Sequence, residues 1–135
     1  EPLFFEQGLT LISQVDEGIT VSGDEEALRR VLEILLDNAQ KYSSPGGETQ
    51  VTLHRRGRNH CALTVANQGE PIPPEARRQI FQRFYRADPA RSRNGSFGLG
   101  LSIAEGIVAQ HHGTIDVTCA GGFNRFRVEL PCRQE

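Results

Sequence analysis

The connections between the apolar segments set the first limit on the fold. Val51 and Leu53 alternate with polar residues, as a half-buried strand does, and Cys61, Leu63 and Val65 do the same after a turn at Gly57–Asn59. Two further strands are expected over about Thr114–Cys119 and Phe126–Leu130. Parallel neighbours need a crossover of a dozen or more residues, and most of these pairs are joined too briefly for one. Between the strands lie helical patterns. Leu28, Val31, Leu32, Leu35, Ala39 and Tyr42 follow helical spacing, so a helix is expected from about Asp24 to Lys41. Ser22, three residues before Glu25, is its candidate capping box, and SSPGG at 43–47 stops it. A second helix begins at Gly100 and turns Ile103, Ala104, Ile107 and Val108 inward. Pro74 is placed to open a helix whose apolar side is Ile80, Phe81 and Phe84. Leu9, Leu11, Ile12, Val15, Ile19 and Val21 suggest one or two strands near the start. The expected fold class is α+β: a two-layer α/β sandwich with a mixed, mainly antiparallel sheet and helices on one face.

A chain of 135 residues is one domain with room for a core. Its net charge of −2 gives no general basic field for nucleic acid. No apolar run is long enough to span a bilayer, and no signal peptide is visible. The chain contains no methionine and is expected to be a fragment. Cys61, Cys119 and Cys132 are odd in number and form no C-x-x-C pair, which argues against structural zinc and a disulfide framework. Basic residues gather in RRGR at 55–58, read as a solvated face, and in RFYRADPARSR at 83–93.

One stretch is unusual for a helix entrance. NGSFGLGLSIA, at 94–104, carries Gly95, Gly98 and Gly100 immediately before an apolar helix. Each glycine in a helix interior costs ~1 kcal/mol against alanine. Two readings are open: a loop that happens to meet a helix, or a backbone that lets N–H groups approach an anion at a helix N-terminus. The order G-x-x-G-x-G is neither the dinucleotide fingerprint nor a P-loop, since Leu99, not lysine, follows Gly98.

Four segments in order resemble the four boxes of the histidine-kinase ATP-binding domain, within the superfamily that includes gyrase B, Hsp90 and MutL. LEILLDNAQKYS (32–43) is similar to the N box, and VANQGEPIP (65–73) to the first glycine box. IFQRFYRAD (80–88) is similar to the F box, and GSFGLGLSIA (95–104) to the second glycine box. IVAQHHGTIDV (107–117) and VELP (128–131) resemble the family's tail. The resemblance implies a Bergerat-type fold over 9–135, with 1–8 as the end of a linker. It implies ATP and Mg²⁺ as ligands, and phosphoryl transfer to a histidine in a separate dimerisation domain. A response regulator would be the next acceptor. It also implies a cytoplasmic domain of a membrane-anchored, homodimeric sensor, with no direct membrane contact by the domain itself.

Residue by residue, the resemblance implies that Asn38 holds Mg²⁺, for which oxygen ligands are suited. Lys41, on the same helix face, would meet phosphate as a point charge, and Tyr42 would pack beside adenine. Asn67 stands where the family has an aspartate that accepts from the adenine amino group. Its carboxamide oxygen still accepts, and its NH₂ then needs an acceptor of its own. Gly69 matches a retained glycine, Pro71 replaces a second one and should stiffen the loop, and Ile72 falls in the same nucleotide-binding box. Arg86 and Arg91 would stabilise charge during transfer, whereas Arg93 is as well read as an exposed loop residue. Gly95, Ser96, Phe97, Gly98, Leu99, Gly100 and Leu101 would form the lid end and phosphate-facing helix entrance. Phe81 and Phe84 are read as core. His54, His60, His111 and His112 lie in no phosphoacceptor context, and His111 and His112 are read as structural.

Ile34 departs from the family. It lies one turn before Asn38, where histidine kinases usually carry a second asparagine and the hydrolysing relatives a glutamate that activates water. Isoleucine takes no proton, so the resemblance points to transfer rather than hydrolysis. The rival readings are a degenerate docking module, an ATP-hydrolysing relative and an anti-sigma-factor serine kinase.

Overall fold

The computed structural model describes residues 10–15, 23–82 and 100–132, the first of these as backbone only. Its elements are β1 (Thr10–Val15), α1 (Glu25–Tyr42), β2 (Glu48–Arg56) and β3 (His60–Gln68). Two 3₁₀ turns follow (Pro74–Ala76 and Gln79–Phe81), then α2 (Gly100–Gln110), β4 (Thr114–Ala120) and β5 (Phe123–Pro131).

The strands form one sheet in the order β1-β2-β3-β5-β4. The β2–β3, β3–β5 and β5–β4 pairs are antiparallel. β1 runs parallel to β2, and α1 lies in the crossover between them. The mixed, mainly antiparallel sheet is therefore as expected. The β4–β5 connection is tighter than the apolar pattern suggested, because Gly121 and Gly122 both take positive φ (60° and 83°) in a two-residue hairpin.

Alternation divides the sheet into two faces. Cys61 and Val65 of β3, Val117 of β4, and Phe126, Val128 and Leu130 of β5 point to the helices. They enclose Val31, Leu35 and Ala39 of α1 and Ala104 and Val108 of α2. Phe81 meets Phe126 edge-on, with ring centroids 6.3 Å apart and planes at 73°, a favoured aromatic geometry. The opposite face is polar. Thr52, Thr64, Arg125 and Arg127 there line a shallow groove of ≈ 370 Å³ over the small side chains of Ala62 and Ala66.

The first helix is capped by Asp24, not by Ser22, which lies outside the described residues. Asp24 Oδ1 accepts from Ala27 N at 3.2 Å, and Glu25 and Glu26 add negative charge in the first turn. The helix expected after Pro74 is instead two separate 3₁₀ turns. Their backbone bonds all run from a residue to the carbonyl three before it, as in Ala76 N to Pro73 O and Phe81 N to Arg78 O. Among residues 74–82, Ala76, Ile80 and Phe81 are the buried apolar positions. Phe84, Ile19 and Val21 lie outside the described residues. In α2, Ala104 and Val108 are fully buried while Ile103 and Ile107 are half-buried.

His111 joins the two helices. Its Nδ1 donates to Ile107 O at 2.8 Å, and its Nε2 accepts from Asp24 N at 3.1 Å. A Cβ on Gly23 would meet the His111 ring at 2.2 Å, so the close pass requires glycine. The structural role expected for His111 is thus specific: it links the C-terminus of α2 to the N-cap of α1. His112 closes α2 in the left-handed region (φ 63°). Gly113 N bonds Val108 O at 2.9 Å and His112 N bonds Ala109 O at 3.1 Å, the two bonds of a Schellman motif.

Two measurements follow from this fold. Histidine pays a steric cost at positive φ that glycine does not, so His112→Gly should raise unfolding stability by about 0.5–1 kcal/mol. A destabilised variant in denaturant titration would contradict the assignment. The second concerns Cys61, whose thiol is pushed from 9.0 up to about 11, by burial first and by the adjoining Cys132 second. Between those values the unfolded chain releases this proton and the folded chain keeps it. The stability it contributes is intact below about pH 9 and is lost as pH rises towards 11. The stability difference between wild type and Cys61→Ala should therefore shrink from pH 8.5 to 10.5, and a constant difference would refute it.

Candidate nucleotide site

The C-terminal half of α1 brings Ile34, Asn38, Lys41 and Tyr42 along one side of the helix. All four are half-buried. Lys41 is 15% exposed and pairs with Asp37 at 3.0 Å, one turn back. An i,i+4 pair of this kind is worth roughly 0.3–0.5 kcal/mol, little enough for a phosphate to displace.

The end of α1 is tied to the end of β3. Ser43 Oγ donates to Ala39 O at 2.6 Å, Ser44 N to Gln68 O at 2.9 Å, and Glu48 N to the Gln68 side chain at 3.1 Å. The joint centres on the Tyr42 carbonyl. Asn67, 1% exposed, donates its Nδ2 to Tyr42 O at 3.2 Å. The amide nitrogen thus has its acceptor. A Cβ on Gly69 would stand 2.4 Å from the same Tyr42 oxygen. Glycine at 69 is therefore demanded by the packing of loop on helix end, a reason the motif alone did not supply.

From Gly69 to Ile72 the loop is anchored to the β4–β5 hairpin and the first 3₁₀ turn. Gly69 N donates to Gly122 O at 3.2 Å, and Arg77 Nε donates to Ile72 O at 3.3 Å. Asn124, 1% exposed, accepts from Ile72 N at 3.1 Å and donates to Glu70 O at 2.8 Å. Sequence reasoning passed over Asn124. The available signal was its phase: two residues before Phe126, it falls on the inward side of β5.

The second helix enters beside the first. A Cβ on Gly100 would touch Ile34 Cγ2 at 3.4 Å, an ordinary contact. Packing among the described residues does not demand glycine there, in contrast to Gly69. Ile34 also lines a broad cleft of ≈ 710 Å³ along the exposed side of α1, bounded by Asp24 and Asp37. Leu101, half-buried, packs against the core. Arg86, Arg91, Arg93, Gly95, Ser96, Phe97, Gly98 and Leu99 lie outside the described residues. Among the described residues no cluster of three or more His, Cys, Asp or Glu side chains could hold a metal.

Known proteins give this arrangement a family. Residues 23–134 match the family model for the histidine kinase-, DNA gyrase B- and HSP90-like ATPases, and the chain belongs to that family. Within it, the similar proteins are sensor kinases. The chain is 49% identical over 107 residues to the signal transduction histidine-protein kinase/phosphatase MprB of Mycolicibacterium smegmatis, covering 78% of this chain and 22% of that protein. It is 42% identical over 118 residues to the sensor histidine kinase CusS of Escherichia coli K12, covering 87% of this chain and 24% of the relative. The chain thus spans about a quarter or less of these relatives. A mycobacterial MprB structure superposes with a TM-score of 0.87 at 31% identity, covering 99% and 89% of the two chains. Full-length ShkA in complex with AMPPNP gives 0.86 at 27% identity, over 99% and 28%. ThkA in complex with the response regulator protein TrrA gives 0.79 at 25%, over 95% and 35%. Fold and family are those of the ATP-binding catalytic domain of two-component sensor histidine kinases.

One residue beside the site is mismatched to its surroundings. Thr49, fully buried and opposite Asn67 in the β2–β3 register, has no hydrogen-bond partner for its Oγ1 among the described residues. A buried hydroxyl without a partner costs roughly 1–3 kcal/mol. The near-isosteric Thr49→Val should therefore raise stability by about 1 kcal/mol or more, and a lower thermal midpoint would show that the hydroxyl has a partner.

Proposed function

We propose that this chain binds Mg·ATP and presents its γ-phosphoryl group to a histidine on a separate dimerisation domain of the same protein. The phosphoryl group then passes to an aspartate of a response regulator. In this reading residues 9–135 are the cytoplasmic catalytic domain of a membrane-anchored, homodimeric sensor.

The observation that carries the reading is the Asn67 carboxamide. With Nδ2 committed to Tyr42 O, Oδ1 is the group left for a ligand. An acceptor oxygen suits the 6-amino group of adenine, whereas the O6 of guanine would oppose it. The base would lie between Tyr42 and Ile72, close to Gly69. Gly100, for which packing among the described residues does not demand glycine, would open the helix entrance to phosphate. The complex of the similar kinase ShkA with AMPPNP, an ATP analogue, supports a nucleotide ligand, and that of ThkA with TrrA supports a regulator partner.

Magnesium would take the Asn38 amide oxygen, with phosphate and water as its further ligands, which suits a site that holds no carboxylate cluster among the described residues. When bound it neutralises charge on the phosphates. Lys41 would leave Asp37 for phosphate, and Arg86 and Arg91 would add charge at the transferring group. Ile34, packed beside Gly100, offers no base for water, so the site favours a positioned acceptor over hydrolysis.

Calorimetric titration of the chain with ATP, with and without Mg²⁺, tests this. The expected result is Mg²⁺-dependent binding with Kd between micromolar and millimolar, abolished or weakened about tenfold by Asn38→Ala, with GTP a poor competitor. The chain incubated alone with γ-labelled ATP should remain unlabelled. A folded sample that binds no nucleotide would point instead to a docking module that has lost its chemistry.

A further inference from the structure

The loop from Gly69 to Pro74 has an unusual deficit. Pro71, Pro73 and Pro74 lack backbone N–H groups, so Ile72 carries the one backbone donor between 71 and 74. A segment with so few donors cannot organise itself by its own hydrogen bonds and must be held from outside. Asn124 does this from β5. Its Oδ1 accepts from Ile72 N at 3.1 Å and its Nδ2 donates to Glu70 O at 2.8 Å. Behind it, the Cys119 thiol donates to the same Oδ1 at 2.9 Å and lies 3.6 Å from Ile72 O. Both lone-pair directions of the amide oxygen are therefore used. Aspartate lacks the donor and leucine lacks both functions. In register, Asn124 stands directly opposite Asn67.

We propose that Asn124, supported by the Cys119 thiol, is a positioning residue for base recognition: it holds the proline-rich loop so that Ile72 and Asn67 form one preorganised edge for adenine. The inference rests on the nucleotide reading above. A loop fixed before binding loses less conformational freedom when the base arrives, so the clasp acts on affinity and base preference without touching the ligand. Its loss should leave the Mg²⁺ dependence, set at Asn38, unchanged.

The test is titration of the full chain with Mg·ATP and Mg·GTP, beside amide hydrogen exchange at Ile72, for wild type, Asn124→Ala, Asn124→Asp and Cys119→Ala. Asn124→Ala should speed exchange at Ile72, raise the ATP Kd about tenfold and lower the preference for ATP over GTP. Asn124→Asp keeps the acceptor for Ile72 N–H, so it should restore protection there and recover part of the preference. Cys119→Ala should shift affinity in the same direction by about two- to threefold, and gives a second readout if Asn124→Ala does not fold. Variants that melt earlier but keep wild-type ATP affinity and preference would make Asn124 a core residue only and overturn the proposal, while wild-type binding stood. Absence of nucleotide binding by wild type would overturn the nucleotide reading and this inference together.

Discussion

The carbonyl of Tyr42 is the point on which the site depends. It is the last helical residue of α1, where carbonyls have no partner within the helix. Here that unfilled acceptor takes the Asn67 amide and has Gly69 pressed against it. One atom therefore fixes two things: how the Asn67 side chain is turned and how near the glycine loop comes. Half-buried Asn38 lies one turn before this joint. Any side chain at 69 would push helix and loop apart and move the groups on both.

Much of the fold was legible because it depends on periodicity. The 3.6-residue repeat through Val31, Leu35 and Ala39 and the alternation through Cys61, Leu63 and Val65 each report a face turned to a core. What escaped the sequence were choices between near-equal local solutions. Asp24 and Ser22 both carry cap-forming side chains, and the bond from Ala27 N to Asp24 Oδ1 shows that Asp24 is the cap. Pro74 was an acceptable first helical residue, but it opens a 3₁₀ turn whose bonds reach three residues back.

The site was legible in a different way. The motifs singled out Asn38, Asn67 and Gly69 as candidates, but not the contacts that hold Asn67 and Gly69. Gly69 matched a retained family glycine, and the structure gives the reason in the Tyr42 carbonyl beside it. Asn67 looked like a weakened aspartate, and the structure supplies the acceptor its extra donor required. Asn124 was missed because a lone asparagine in a strand carries no motif. Its meaning lies in contacts with Glu70 and Ile72, more than fifty residues away in the chain.

The strict alternation of β5 also bears on how faithfully the chain reaches this structure. Asn124, Phe126, Val128 and Leu130 face the helices, while Arg125, Arg127 and Glu129 face the open side. Sliding β5 by one residue against β3 would exchange the two sets. Two guanidinium groups would enter the apolar layer without partners, and Phe126 would turn to water. The charges on the uncovered side thus guard against mispairing: they add little to the folded state and penalise the wrong partner residue heavily. Because β3 and β5 meet only after the intervening segment has been traversed, such a guard is most needed at that late-closing pair.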